Sequence, residues 1–141
     1  MVFQRQLTET SRKTVIALFI AILSANTAAA EGRVFPSGPW TKQTAGRTVT
    51  MDIWPKPLRA MAELTFCLTV TPSGALPDAI PLDLDMPGMM MGKNQVLLKR
   101  SGCCTWKGTG IIVRCMSGRK LWQATINCEA LNNTAFPFNV N

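Results

Sequence analysis

The chain contains no histidine and no tyrosine. Without histidine it lacks both the usual general base near neutral pH and the commonest metal-ligating side chain. A cysteine nucleophile would have no customary base beside it. None of the five cysteines forms a C-x-x-C pair, so the motif of thioredoxin-type exchange is missing. Past residue 30 the charges are scattered singly, with Lys99-Arg100 and Arg119-Lys120 the only adjacent basic pairs. There is no basic stripe interleaved with aromatics, which argues against nucleic acid as a partner. There is also no internal repeat, no low-complexity segment and, after the N-terminal region, no helical period sustained over three turns. Residues 58–64, LRAMAEL, make one turn at most.

The N-terminal region reads as an export signal. Arg5, Arg12 and Lys13 stand against a single Glu9, and residues 14–23 (TVIALFIAIL) form a short apolar run. That run falls well below the roughly 20 apolar residues that a membrane-spanning helix needs. Ala28 and Ala30 supply an A-x-A cleavage pattern, which predicts a mature chain starting at Glu31 and a periplasmic or secreted location. An uncleaved anchor, lengthened by residues 25–30, is the alternative. No cysteine lies at that junction, so lipid attachment there is excluded. The expected organisation is a signal peptide over 1–30, an extended Gly/Pro-rich leader over 31–46 and one domain over 47–141. The mature part is basic, and ordinary solubility accounts for its charge.

From residue 47 the pattern alternates with period two. RTVTMDIW (47–54) sets Val49, Met51 and Ile53 against Thr48, Thr50 and Asp52. ELTFCLTVT (63–71), AIPLDLDM (79–86), QVLLKR (95–100), CTWKGTGIIVR (104–114), KLWQATINC (120–128) and AFPFNV (135–140) continue it, separated by Pro, Gly, Ser and Asn. Seven short strands with such boundaries predict an all-β domain, an antiparallel sandwich of immunoglobulin-like plan. Asp83 and Asp85 alternate with leucines and read as a solvated face, not as a general-acid pair.

Strand reversal assigns each loop to one of two poles. Met61, Met86, Met89, Met90, Met91, Cys115 and Met116 are expected at one end, and Cys103, Cys104 and Cys128 at the other. All five cysteines follow the signal and so meet an oxidising compartment, yet their number is odd and leaves at least one thiol over. Cys104 and Cys128 share inward parity, either across a hairpin of the fifth and sixth expected strands or across two sheets, and are the first-choice disulfide. Cys103 points the other way. Adjacent Cys103 and Cys104 read as two independent cysteines. Cys67 and Cys115 share outer parity, which leaves a second bridge open.

The sulfur pole is dominated by residues 85–92, DMPGMMMG. Thioethers and thiolates are soft ligands that select Cu(I). Met86, Met89, Met90, Met91 and Met116, with Cys115, are therefore candidate metal ligands. The same methionines also suit a flexible plug for the end of the core, or an adaptable docking surface. All three readings stay open from the residues alone.

LDLDMPGMMMG, then WKGTG (106–110), then MSGRKLWQATI (116–126) together resemble the YtkA-like and FixH-like domains over roughly residues 47–127. The resemblance implies an extracytoplasmic immunoglobulin-like sandwich, often found beside heavy-metal or copper-handling proteins, and so strengthens Cu(I) as the cofactor that the thioethers suggest, while the missing histidine already argues against an enzyme. It also implies a partner in a copper metalloprotein or a metal-efflux system of the envelope. Met90 or Met91 stands where that loop often has histidine, which disfavours Cu(II). A metal-free interaction module is the alternative function.

Overall fold

The fold was obtained as a computed structural model, and residues 37–141 are described. The expected signal peptide lies outside the described residues. Eight strands follow in chain order: β1 Trp40–Thr44, β2 Arg47–Trp54, β3 Glu63–Thr71, β4 Ala79–Asp85, β5 Gln95–Arg100, β6 Thr105–Ile111, β7 Leu121–Ile126 and β8 Ala135–Asn139. A single 3-10 turn at Glu129–Leu131 precedes β8. The protein is thus all-β, as the alternation predicts, with every strand pair antiparallel. Among the described residues no helix is long and apolar enough to cross a membrane.

The strands form one sheet in the order β1-β2-β3-β6-β5-β4-β7-β8. Its two ends approach one another. The ring centroids of Trp40 and Phe138 lie 5.9 Å apart, Lys42 Nζ donates to the Ala135 carbonyl, and Asn132 Nδ2 lies 3.2 Å from Thr44 Oγ1. The sheet is therefore nearly closed. At its middle, β5 and β6 share only two paired positions, Lys99↔Lys107 and Arg100↔Trp106.

Period-two alternation puts one face of each strand inside. Val49, Met51 and Ile53 of β2, and Leu64, Phe66, Leu68 and Val70 of β3, are fully buried. Trp106 of β6, Trp122 of β7, and Phe136 and Phe138 of β8 are buried with them. Each such side chain contributes about 1.5–3 kcal/mol on burial. Trp106 keeps its polar atom satisfied, with Nε1 donating to the Pro77 carbonyl at 2.9 Å.

Two expectations need correcting. The chain has eight strands, because β1 occupies part of the stretch expected as an extended leader. Its middle three residues are all exposed, so it lacks the apolar alternation that marks an inner strand. Ala45 and Gly46 both take positive φ, the two-residue turn that matches the twist of a hairpin, and they fold β1 onto β2. The hairpin of the fifth and sixth expected strands is also absent. β6 pairs with β3 and β5, whereas β7 pairs with β4 and β8.

Candidate metal centre

The segments bearing sulfur meet at one end of the sheet. β4 ends at Asp85, and Pro87-Gly88 turns the chain, with Gly88 at φ 79° and Met89 N–H donating to the Met86 carbonyl at 3.0 Å. The loop closes where Leu84 N–H meets the Asn94 carbonyl at 2.8 Å. From the neighbouring side β6 stops at Ile111, the residue opposite Glu63 at the start of β3. The Ile112 carbonyl then accepts from Met61 N–H at 2.7 Å. A tight turn follows, with Gly118 N–H donating to the Cys115 carbonyl at 3.1 Å and Gly118 at φ 73°.

These two turns bring Cys115 Sγ to 4.0 Å from Met89 Sδ. Ser117 Oγ lies 2.9 Å from Cys115 Sγ and 3.9 Å from Met89 Sδ. The Ser117 hydroxyl holds the Cys115 thiol below its ordinary value. The Ser117 backbone N–H and the nearby Arg119 act in the same direction against some desolvation. The thiol is therefore biased toward thiolate, the form that binds metal. Two sulfurs bound to one ion at about 2.3 Å and at trigonal or tetrahedral angles lie about 3.8–4.0 Å apart, which the Met89–Cys115 pair matches. Beside Cys115 opens a cleft of about 200 Å³, lined by Val113, Arg114, Arg119, Lys120, Trp122 and Val140 among others.

The remaining candidates divide by direction. Met86 is 2% exposed and belongs to the core, ending the inward face that β4 begins. Met91 is partly buried against the core, as Met89 is. Met90 and Met116 are fully exposed, and Met61 is largely so. Asp85 is exposed on the opposite parity from Met86. Among the described residues no three His, Cys, Asp or Glu side chains gather into a metal-binding group. Ligation at this pole would therefore rest on thioethers beside one thiol.

All five cysteines are free. The expected Cys104–Cys128 bridge is not formed, and the hairpin that would have set the two residues opposite each other does not exist. Cys104 Sγ instead lies 3.2 Å from Cys103 Sγ, so the two adjacent cysteines, expected to act independently, are in contact. Cys67 and Cys115 are not joined either. Cys67 sits on β3 between Asp52 and Lys107 of the flanking strands, and burial pushes its thiol up, with Lys107 opposing.

No protein-family model, no curated protein and no solved structure matches this chain.

Proposed function

We propose that this protein is an exported, non-enzymatic carrier that binds or presents Cu(I) at the pole where the Met86–Gly92 loop meets the Cys115–Gly118 turn. The observation that carries this reading is the 4.0 Å approach of Met89 Sδ to Cys115 Sγ, with a hydroxyl placed to stabilise the thiolate. Met89 and Cys115 form the centre, Met91 is a further thioether of the same loop, partly buried like Met89, and the exposed Met90 and Met116 offer thioethers at the entrance. Met86 serves the core instead. Soft donors without histidine favour Cu(I) over Cu(II), so binding should require reducing conditions. A copper metalloprotein or an efflux component of the envelope is the partner class that fits.

Two further readings support this one. The order of the M-P-G-M loop, the W-K-G-T-G strand and the Met-Ser-Gly turn favours membership of the YtkA-like and FixH-like domains. The thin β5–β6 junction divides the sheet into β1-β2-β3-β6 and β5-β4-β7-β8, which favours an immunoglobulin-like sandwich bent at that junction.

The test is competition for Cu(I) between the protein and a chromogenic Cu(I) chelator under reducing conditions. Cys115→Ser and Met89→Leu should each lower Cu(I) retention more than tenfold. Met89→Leu keeps volume and apolar character, so apo-protein melting should barely change. Met86→Leu, buried away from the centre, should retain copper like the wild type. Equal retention by wild type, Met89→Leu and Cys115→Ser would refute the reading. The full exposure of Met90 and Met116 would then favour the second reading, a metal-free interaction module that docks through its methionines.

A further inference from the structure

The opposite side of the junction holds a second sulfur pair that the proposed copper centre does not use. Cys103 and Cys104 lie in the short link from β5 to β6, with their sulfurs 3.2 Å apart. The link is held from several directions. Arg100 Nη1 donates to the Cys103 carbonyl at 3.0 Å, while its Nε meets Asp78 Oδ1 at 2.8 Å and its Nη2 meets the Leu76 carbonyl at 2.8 Å. The same guanidinium lies 4.4 Å above the Trp106 ring. The Cys104 carbonyl accepts from Val70 N–H at 2.9 Å, and Ser101 N–H donates to the Thr105 carbonyl at 2.8 Å. Both cysteine backbones are thus clamped with their sulfurs facing each other. Cys103 is exposed, and Cys104 is partly covered with Ser73 Oγ 3.8 Å from its sulfur.

We propose that Cys103 and Cys104 form a thiol–disulfide exchange site that takes oxidising equivalents from a low-molecular-weight disulfide and holds them as a reversible bond between neighbouring residues. Cys104 is the attacking sulfur. The hydrogen bond from Cys103 and the contact with the Ser73 hydroxyl hold its thiol below the ordinary value, and Arg100 adds to this, whereas the contact with Cys104 pushes Cys103 up. The Cys104 thiolate attacks one sulfur of the external disulfide, forming a mixed disulfide and expelling one thiolate. Cys103, giving up its proton, attacks the Cys104 sulfur and expels the second. Two protein thiols are oxidised, one external disulfide is reduced to two thiols, and the protons pass to the departing thiolates. The 3.2 Å approach places the resolving sulfur beside its target before the reaction starts.

The bond so formed cannot be a durable staple. Consecutive Cα atoms are about 3.8 Å apart across a trans peptide, whereas disulfides usually span about 4.4–6.8 Å between Cα atoms. Such strain raises the reduction potential and makes the bond easy to reverse. The site is thus suited to accepting and passing on a disulfide, a chemistry that leaves the copper reading untouched.

Incubation of the intact folded protein with glutathione disulfide, followed by acid quench and tryptic mapping, tests this directly. Cleavage after Arg100 and Lys107 releases both cysteines on one peptide, SGCCTWK. In the wild type that peptide should become lighter by two hydrogens, with mixed disulfide present only transiently, and dithiothreitol should restore it. Cys103→Ser should stop at one glutathione on Cys104, and Cys104→Ser should react at least tenfold more slowly. A wild-type peptide that keeps both thiols, or that carries two glutathiones, would overturn the proposal. So would equal reactivity of the two variants when both melt like the wild type. The wild-type result stands without either variant, and copper retention by Cys104→Ser separates failure here from failure of the copper centre.

Discussion

Gly108 and Gly110 allow β6 to lie against β5, and their replacement by alanine should separate two kinds of crowding. A Cβ at Gly110 would sit 2.4 Å from Val96 Cγ2, where carbon atoms settle at about 3.5–4.0 Å. Val96 is 3% exposed and β-branched, so it has little room to turn aside. Overpacking of this kind costs about 1–3 kcal/mol, and the unfolded-chain benefit of replacing glycine offsets about 0.4–1 kcal/mol of it. Gly110→Ala should therefore lose about 1–2 kcal/mol. A Cβ at Gly108 would lie 2.6 Å from the Leu97 carbonyl oxygen, which is backbone and cannot rotate away. Relief there must part β5 from β6, where only two paired positions hold them. Gly108→Ala should cost about 3 kcal/mol, at the upper end of overpacking losses.

A double-mutant cycle makes the reasoning testable. Val96→Ala alone should lose about 2 kcal/mol by leaving a cavity. Combined with Gly110→Ala, the new methyl enters the vacated space, and the pair should be at least about 1 kcal/mol more stable than the sum of its parts. Combined with Gly108→Ala, Val96→Ala should bring little relief, because the Leu97 oxygen remains. Urea unfolding followed by tryptophan fluorescence measures all five variants, with midpoints compared at unchanged slope. Additivity of the Gly110/Val96 pair within about 0.5 kcal/mol would refute the argument. A Gly108→Ala protein as stable as the wild type would refute it equally.

Two other outcomes are expected. Burial raises the Cys67 thiol above its ordinary 9.0, so the unfolded chain releases this proton first as pH rises. Stability is then unaffected by this group below that value and falls above it. Urea midpoints at pH 7 and pH 10 should therefore differ less in Cys67→Thr than in the wild type, and equal differences would dismiss the role of Cys67. For the exported form, mass spectrometry should find Glu31 as the first residue, whereas an intact Met1 in a membrane fraction would establish the anchored alternative.

Much of the fold was legible because burial on one face leaves its mark at every second residue. β2, β3 and β5 run over the residues that the alternation picks out: 47–54, 63–71 and 95–100. β6 is shorter than its apolar run. β3 begins opposite Ile111 and offers no backbone partner to Ile112, Val113 or Arg114. β1 carries no such alternation, so the periodic pattern left it inside the expected leader. Pairing order is not a periodic property, so the separation of β6 from β7 was hidden, and with it the loss of the hairpin route to a Cys104–Cys128 bridge.

The candidate site shows the same division. Strand reversal was enough to gather the methionines and Cys115 at one end. Inside the loop there is no period, so only the Met86–Met89 turn decides that Met89 faces Cys115 while Met90 faces water. The contact of Cys103 with Cys104 depends on Arg100 reaching across to Asp78 and Leu76, residues far away in sequence. The Ser117 hydroxyl beside Cys115 was missed, although its place two residues along the same turn was a usable signal.

The meeting of β1 with β8 bears on how copies of this chain treat one another in a crowded compartment. A strand at the margin of an open sheet is a template on which another molecule can add a strand, the first step toward fibrous aggregates. Here each margin obstructs the other. Lys42 projects its charge onto the Ala135 carbonyl, and Thr44 Oγ1 reaches the Leu131 carbonyl at 3.5 Å. Pro137 in the middle of β8 offers no N–H to an incoming strand. Trimming the chain back to Gly46 would strip this guard from β2 and β8 together, and would turn two mutually blocked margins into a growth surface.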